Sequence, residues 1–279
     1  MRLLGVGDNV VDRYRDLGQM FPGGNALNVA VAARRGGASA AYLGAIGTDR
    51  AGQTVLDALR TEAIDLERTR IIDGPNAWAD VNVVDGDRVF AGADIGISRF
   101  VLDEGDLTYA STFDLIHTGD NSMVESQVAD LARHAPVAFD FSLHREPSYL
   151  DPLLPNVTLA CFSASQDDEP AVLELLAQTI ARGPRWALAT RGMAPAILSD
   201  GRQIWRQPVI PARIVDTLGA GDSFIGRFLA GLFDGEAPAA ALEEAARAAA
   251  VTCGSYGAFG YGVPIVSAAA LDQAAPAAS

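Results

Sequence analysis

Short apolar runs alternate along the chain with segments whose apolar residues recur at helical spacing. Near-continuous apolar runs at residues 2–7, 41–46, 114–118, 137–141, 159–163 and 186–190 read as strands. Between them, residues 26–35, 52–63, 122–134 and 171–181 carry a helical period. Strands that are apolar throughout imply a parallel sheet covered on both faces. The expected class is therefore α/β, a mostly parallel central sheet with helices on both sides. Two segments break the alternation. Residues 77–84 and 87–91 flank Asp85-Gly86, a dipeptide suited to a type I′ hairpin turn. The stretch Ala79-Asp80-Val81-Asn82-Val83 alternates small or apolar with polar side chains. Together with residues 12–21, this hairpin is expected to make a small β-sheet that projects from the main body as a lid. A second hairpin is expected at 196–199 and 202–205, around Asp200-Gly201. The Ala- and Pro-rich tail, 268–279, suggests no chemistry.

Composition narrows the class of protein. The 279 residues are 49% hydrophobic, enough for a large core, yet no run approaches the about 18 apolar residues of a membrane span. The first residues, Met1 to Gly7, read as a strand and lack the parts of a signal peptide. Two distant cysteines and three scattered histidines give no disulfide framework and no metal-ligand spacing. These features suit a cytoplasmic protein. A net charge of −14 argues against a general nucleic-acid surface.

The most informative stretch is Asp216-Thr217-Leu218-Gly219-Ala220-Gly221-Asp222-Ser223-Phe224. Phe224, Ile225, Phe228, Leu229, Leu232 and Phe233 follow at helical spacing, so a helix begins near Gly221. The small residues let the backbone approach an anion, and helix-start N–H groups would point at it. Asp222 then falls in the first turn, where a carboxylate is favourable even as a simple cap. Capping alone does not call for three small residues, an upstream Asp-Thr and a carboxylate at the mouth. The pattern fits a backbone that stabilises phosphoryl charge beside a base that takes a hydroxyl proton. No G-x-x-x-x-G-K-[ST] loop is present, which excludes the P-loop kinases.

Asp216-Thr217-x-Gly219-Ala220-Gly221-Asp222 resembles the C-terminal signature of the ribokinase-like (PfkB-type) sugar kinases. Gly23-Gly24-Asn25-Ala26-Leu27-Asn28-Val29-Ala30 resembles the N-terminal one, in the expected order. The resemblance runs from about residue 1 to about residue 262, and implies a single ribokinase-like kinase domain, 1–279, with the β lid described above. It implies that Asp222 is the catalytic base, that the amides of Gly219, Ala220 and Gly221 form an anion hole, and that ATP and Mg²⁺ are used. It also suggests a monovalent cation such as K⁺ at Asp216 and the Leu218 carbonyl. For the nucleotide it points to Thr190, Gly192 and Gly257, with Gly219 and Gly221. The family's Asn-x-x-Glu segment corresponds to Ser165-Gln166-Asp167-Asp168-Glu169. There Glu169, acting on Mg²⁺-bound water, and Asp168 are rival registers. Pro195 stands where the nucleotide turn usually has a second glycine.

At the substrate end, Gly7-Asp8-Asn9-Val10-Val11-Asp12 follows the first strand, at the edge where open parallel sheets bind ligands. Gly5-x-Gly7 is no dinucleotide fingerprint, because Val10 stands in place of the third glycine. The resemblance assigns Asp8, Asp12, Gly23, Gly24 and Asn28 to a sugar pocket. Within the family the chain is most similar to the fructoselysine 6-kinases, through Gly7-Asp8-Asn9-x-Val11-Asp12, the run from Gly23 to Val31, Asp87-Arg88-Val89-Phe90 and Ala138-Phe139-Asp140-Phe141-Ser142. Asn25 is unusual, since many relatives carry a longer or basic residue there. Arg88, in the lid hairpin, could meet a substrate carboxylate or hydroxyl. The implied substrate is a fructosamine phosphorylated on its primary 6-hydroxyl. The segments Thr118-Gly119-Asp120-Asn121 and Leu143-His144-Arg145 depart from those relatives and bear on the amino-acid half. Alternatives are a related kinase of another sugar or nucleoside, or a non-catalytic sugar- or nucleotide-binding regulator. Lids of this kind often pair between subunits, so a homodimer through the lid is expected.

Overall fold

The computed structural model describes residues 1–84 and 87–265, and the backbone alone at 83, 84 and 87–90. The expected Asp85-Gly86 turn, the Arg88 side chain and the tail 268–279 lie outside the described residues. The chain begins with β1 (Arg2–Val6), β2 (Val10–Tyr14), β3 (Gln19–Gly23), α1 (Asn25–Arg35), β4 (Ser39–Leu43), β5 (Ala45–Gly47), α2 (Arg50–Thr61) and β6 (Arg70–Ile72). A hairpin follows, β7 (Trp78–Val84) and β8 (Asp87–Asp94), and then α3 (Glu104–Ala110), β9 (Leu115–Gly119), α4 (Val128–Ala132), β10 (Val137–Asp140) and α5 (Pro147–Leu153). The last part comprises β11 (Leu159–Ser163), α6 (Glu169–Ile180), β12 (Trp186–Thr190), β13 (Ala196–Ser199), β14 (Ile204–Gln207), α7 (Ala220–Phe233), α8 (Pro238–Thr252) and β15 (Val263–Pro264).

Eight strands form the main sheet in the order β14-β13-β12-β11-β10-β9-β1-β4. The strands from β4 to β12 run parallel, and the β13–β14 hairpin adds an antiparallel edge. The strands feed two cores by simple alternation. Leu3, Ala138, Leu159, Cys161 and Leu188 point into one core with α1, α2, α7 and α8. Leu4, Val137, Phe139, Ala160, Phe162 and Ala187 point into the other, with α3 to α6. Both sets are fully buried, which is why these runs read as continuously apolar.

Most expected elements are present within a residue or two. The expected strand 41–46 is divided at Gly44 into β4 and β5, and β5 pairs with β6 away from the main sheet. The expected helix 122–134 is reduced to α4. Met123 takes a left-handed conformation, φ 57°, and the Ser122 hydroxyl is drawn to the Asp8 carboxylate at 3.0 Å. Helices α3 and α5 were not anticipated.

The second sheet has the order β15-β3-β2-β7-β8, so both expected pieces meet in it and the late strand β15 joins them. Arg13 holds it together, bonding Asp80 at 2.7 Å and lying 3.2 Å from the centre of the Trp78 ring. No helix among the described residues is long and apolar enough to cross a membrane.

Helix α7 packs closely against α1. A Cβ at Gly226 would sit 2.5 Å from the Val29 carbonyl oxygen and 2.6 Å from the Ala32 Cβ. Gly226→Ala is therefore expected to lose about 1–3 kcal/mol of stability to overpacking, although alanine has the better helix propensity. Urea denaturation measures this, and an unchanged midpoint would contradict the close approach.

Candidate active site

Parallel strands bring their carboxyl ends to one edge. Asp8 follows β1, Asp120 follows β9, and Asp140, Ser163 and Thr190 end β10, β11 and β12. A cavity of about 560 Å³ opens there, walled also by Asn25 and Asn28 of α1, Asp222 of α7, and Asp12, Trp78 and Asp94 of the second sheet. A second cavity of about 430 Å³ runs between α8 and the segment 207–214. Ala246, Ala249, Ile210, Ile214 and Phe224 give it apolar walls, the lining a planar heteroaromatic base needs. Ser163, Thr190 and Gly221 belong to the walls of both cavities.

Asp222 stands at this junction. Gly219 is the N-cap of α7 at φ 71°, a left-handed conformation that costs a residue without a side chain little. The turn places Asp222 in the first helical turn, facing α1. Its Oδ1 accepts a hydrogen bond from Asn25 Nδ2 at 2.8 Å, and its Oδ2 one from Asn28 Nδ2 at 2.7 Å. Burial, opposed by those two amides, pushes the Asp222 carboxyl up to about 6, with Asp8 and Asp120 adding to the rise. A base of that affinity is poised to take a proton near neutral pH.

The remaining expected residues divide. Asp8, Asp12, Gly24 and Asn28 line the larger cavity, and Thr190, Gly192, Ala220 and Gly221 line the smaller. Gly23 lies beside them, across from Val10 in the β2–β3 pair. Asp8 is engaged in capping α1: its oxygens accept from the Asn25 and Ala26 N–H groups at 2.7 and 3.1 Å. Of the three amides expected to form an anion hole, that of Ala220 turns back to the Thr217 carbonyl at 3.2 Å. Gly221 is the one of the three in both cavity walls.

Asp216, Glu169 and Gly257 are placed differently. The Asp216 carboxylate accepts from the Tyr14 hydroxyl and from the N–H groups of Leu218 at 3.1 Å and Gly257 at 3.0 Å. It thus ties β2 of the second sheet to the turn before α7. Gly257 belongs to that hub and to neither cavity wall. Glu169 pairs with Arg206 at 2.8 Å and lies outside both walls. Asp168, the rival register, caps α6 by accepting from the Ala171 N–H at 2.9 Å.

Sequence reasoning had not given roles to Asn25, His117 or Asp140. Asn25 Nδ2 also donates to Asp140 Oδ2 at 2.8 Å. Asp140 is pushed up to about 7 by burial, and its neighbours Asp222 and Asp120 raise it further. The signal was available: an Asp in Val137-Ala138-Phe139-Asp140-Phe141 and a His in Ile116-His117 interrupt otherwise apolar strands. The two departing segments also meet, with His144 Nε2 3.7 Å from Asp120 Oδ2.

Comparisons with known proteins show the family and the fold. A family model described as pfkB family carbohydrate kinase matches residues 9–264. The chain is 43% identical over 269 residues to the fructosamine kinase FrlD of Bacillus subtilis, covering 95% of each chain. It is 34% identical to the fructoselysine 6-kinase of Escherichia coli, over 91% of this chain and 98% of that one. The structure of Arabidopsis thaliana ribokinase complexed with ribose and ATP superposes with a TM-score of 0.78, at 20% identity, covering 92% of this chain and 93% of that one.

Asp222→Asn is expected to lower kcat by about 10²–10⁴-fold while nucleotide binding is retained. In the wild type, kcat/KM should fall as pH drops through about 6, because protonation removes the base. A pH–rate profile and nucleotide titration of both proteins check this; a fully active Asp222→Asn enzyme would contradict it.

Proposed function

We propose that this chain, which belongs to the pfkB family of carbohydrate kinases, transfers the γ-phosphoryl group of ATP to the primary 6-hydroxyl of a fructosamine such as fructoselysine. One observation carries the reading: a polar cavity and an apolar-walled cavity meet at Gly221, and Asp222 stands at the meeting point. The adenine lies between α8 and residues 207–214, and the phosphates reach the first turn of α7. N–H groups there lack intrahelical partners, so they suit an anion. The sugar hydroxyl lies against Asp222. As its oxygen bonds to the γ-phosphorus and the bond to the β,γ-bridging oxygen breaks, Asp222 receives the hydroxyl proton and ADP leaves.

The larger cavity favours a sugar that carries an amine. Asp8, Asp12, Asp94, Asp120, Asp140 and Asp222 line it, and no Arg or His does among the described residues. A protonated amine is attracted by such a wall, whereas a free ketose offers it only hydroxyls. The 43% identity to a fructosamine kinase points the same way. Asp120, ahead of the His144 segment, is the residue we assign to the amine side.

Mg²⁺ fits as a passenger of the nucleotide, held by phosphate oxygens and water with few protein ligands. When bound it neutralises charge on the phosphates. Glu169, paired with Arg206, suits action on Mg²⁺-bound water rather than direct ligation. A monovalent cation does not fit at Asp216, whose carboxylate already gathers three hydrogen-bond donors. We treat residues 1–279 as one kinase domain with the second sheet as its lid. Asp12, Trp78 and Asp94 already wall the cavity from that sheet, and closing it would keep water from the γ-phosphate.

An ATP-consumption screen over fructosamines, free ketoses, ribose and nucleosides tests the reading. Fructosamines are expected to be turned over with a kcat/KM at least about tenfold above the others, since one good ionic contact is worth that much. Preference for ribose or a nucleoside would overturn the substrate, and turnover of none would favour a binding regulator.

A further inference from the structure

His117 is buried on β9 with no solvent exposure, and phosphoryl transfer as derived above gives it no task. Its Nε2 lies 3.0 Å from Asn25 Oδ1. The other end of the same amide faces two carboxylates, with Nδ2 at 2.8 Å from both Asp140 Oδ2 and Asp222 Oδ1. Turning the amide over would set its carbonyl oxygen against the Asp222 carboxylate. The Asn25 orientation is therefore determined by its partners, and its oxygen is left facing the imidazole. Nε2 must then carry the hydrogen and donate it. Burial holds the His117 ring neutral, pushed down to about 3, so this donor is present throughout the working pH range.

We propose that Asn25, its amide locked by the buried His117, is a positioning residue that keeps Asp222 ionised and aimed at the substrate hydroxyl beside the second carboxylate, Asp140. The surroundings explain why such a device is needed. Asp8 after β1 and Asp120 after β9 both raise the proton affinity of Asp222, and Asp120 does the same to Asp140. The Cys161 thiol on β11 is held protonated by burial, with the nearby Asp140 acting in the same direction. Against these stand neutral donors: Asn25 on both carboxylates, Asn28 on Asp222 at 2.7 Å, and the Ser142 N–H on Asp140 at 2.9 Å. Asn25 spans the pair with one NH₂ group, which fixes both carboxylates relative to α1. His117 acts only through Asn25.

The test is the pH dependence of kcat/KM between about pH 5 and 9, the range in which such limbs appear. Asn25→Leu should move the acid limb upward by about one unit or more, a tenfold loss near its midpoint that shrinks at high pH. His117→Leu should move the limb the same way, and His117→Gln, which keeps an N–H donor, should stay near wild type. The double variant Asn25→Leu/His117→Leu should shift no further than Asn25→Leu, because the two residues act in series. Melting temperature and ATP titration confirm that each variant is folded; if Asn25→Leu is not, the His117 pair decides alone. A loss that is the same at every pH, additive shifts, or identical profiles for His117→Leu and His117→Gln would overturn the proposal. It rests on the phosphoryl-transfer reading but not on which sugar is used. A wild type that phosphorylates no sugar counts against that earlier reading, whereas an active enzyme whose acid limb ignores Asn25→Leu counts against this one.

Discussion

Removing a carboxylate from water costs several kcal/mol unless its oxygens find donors, and the site is built around meeting that demand for Asp222. Each of its oxygens receives an amide hydrogen, from Asn25 and Asn28, three residues apart on one face of α1. The carboxylate itself comes from the first turn of α7, where the helix dipole favours negative charge. Both helices must therefore approach closely at their N-terminal ends. The glycine at 226 permits the contact with α1, and the two cores of the parallel sheet hold the helices against the strands. What looks like a catalytic residue with ligands is equally a packing solution.

The same arrangement explains the division of the site into two chambers. The carboxyl edge of the sheet supplies Asp8, Asp120 and Asp140 to one side and Thr190 to the junction. Gly221, in the first turn of α7, lines both chambers. Asp216 secures the turn before α7 from behind. By accepting from Tyr14 it also couples the second sheet to that turn.

The parts legible in the sequence were those with local signatures. Continuous apolar strands announced a doubly covered parallel sheet because both faces are buried, and the glycine-rich run before Phe224 announced a helix start. Asp12 and Asn28 could be placed by resemblance. What escaped depended on long-range pairing. The pairing of Glu169 with Arg206, 37 residues later, has no local signature. Nor does the hydrogen bond that Asp216 accepts from Tyr14, 202 residues earlier. Asp140 and His117 were visible as polar interruptions of apolar runs, yet their meaning required Asn25 to stand between them.

The central claim is that two ligands meet at Asp222, and a crystal structure with a fructosamine and a non-hydrolysable ATP analogue tests it most directly. The account predicts the primary hydroxyl within about 2.6–3.2 Å of an Asp222 oxygen, with the γ-phosphate at the first turn of α7 and the adenine against α8. A nucleotide seated in the Asp-lined cavity, or a sugar whose primary hydroxyl points away from Asp222, would contradict it.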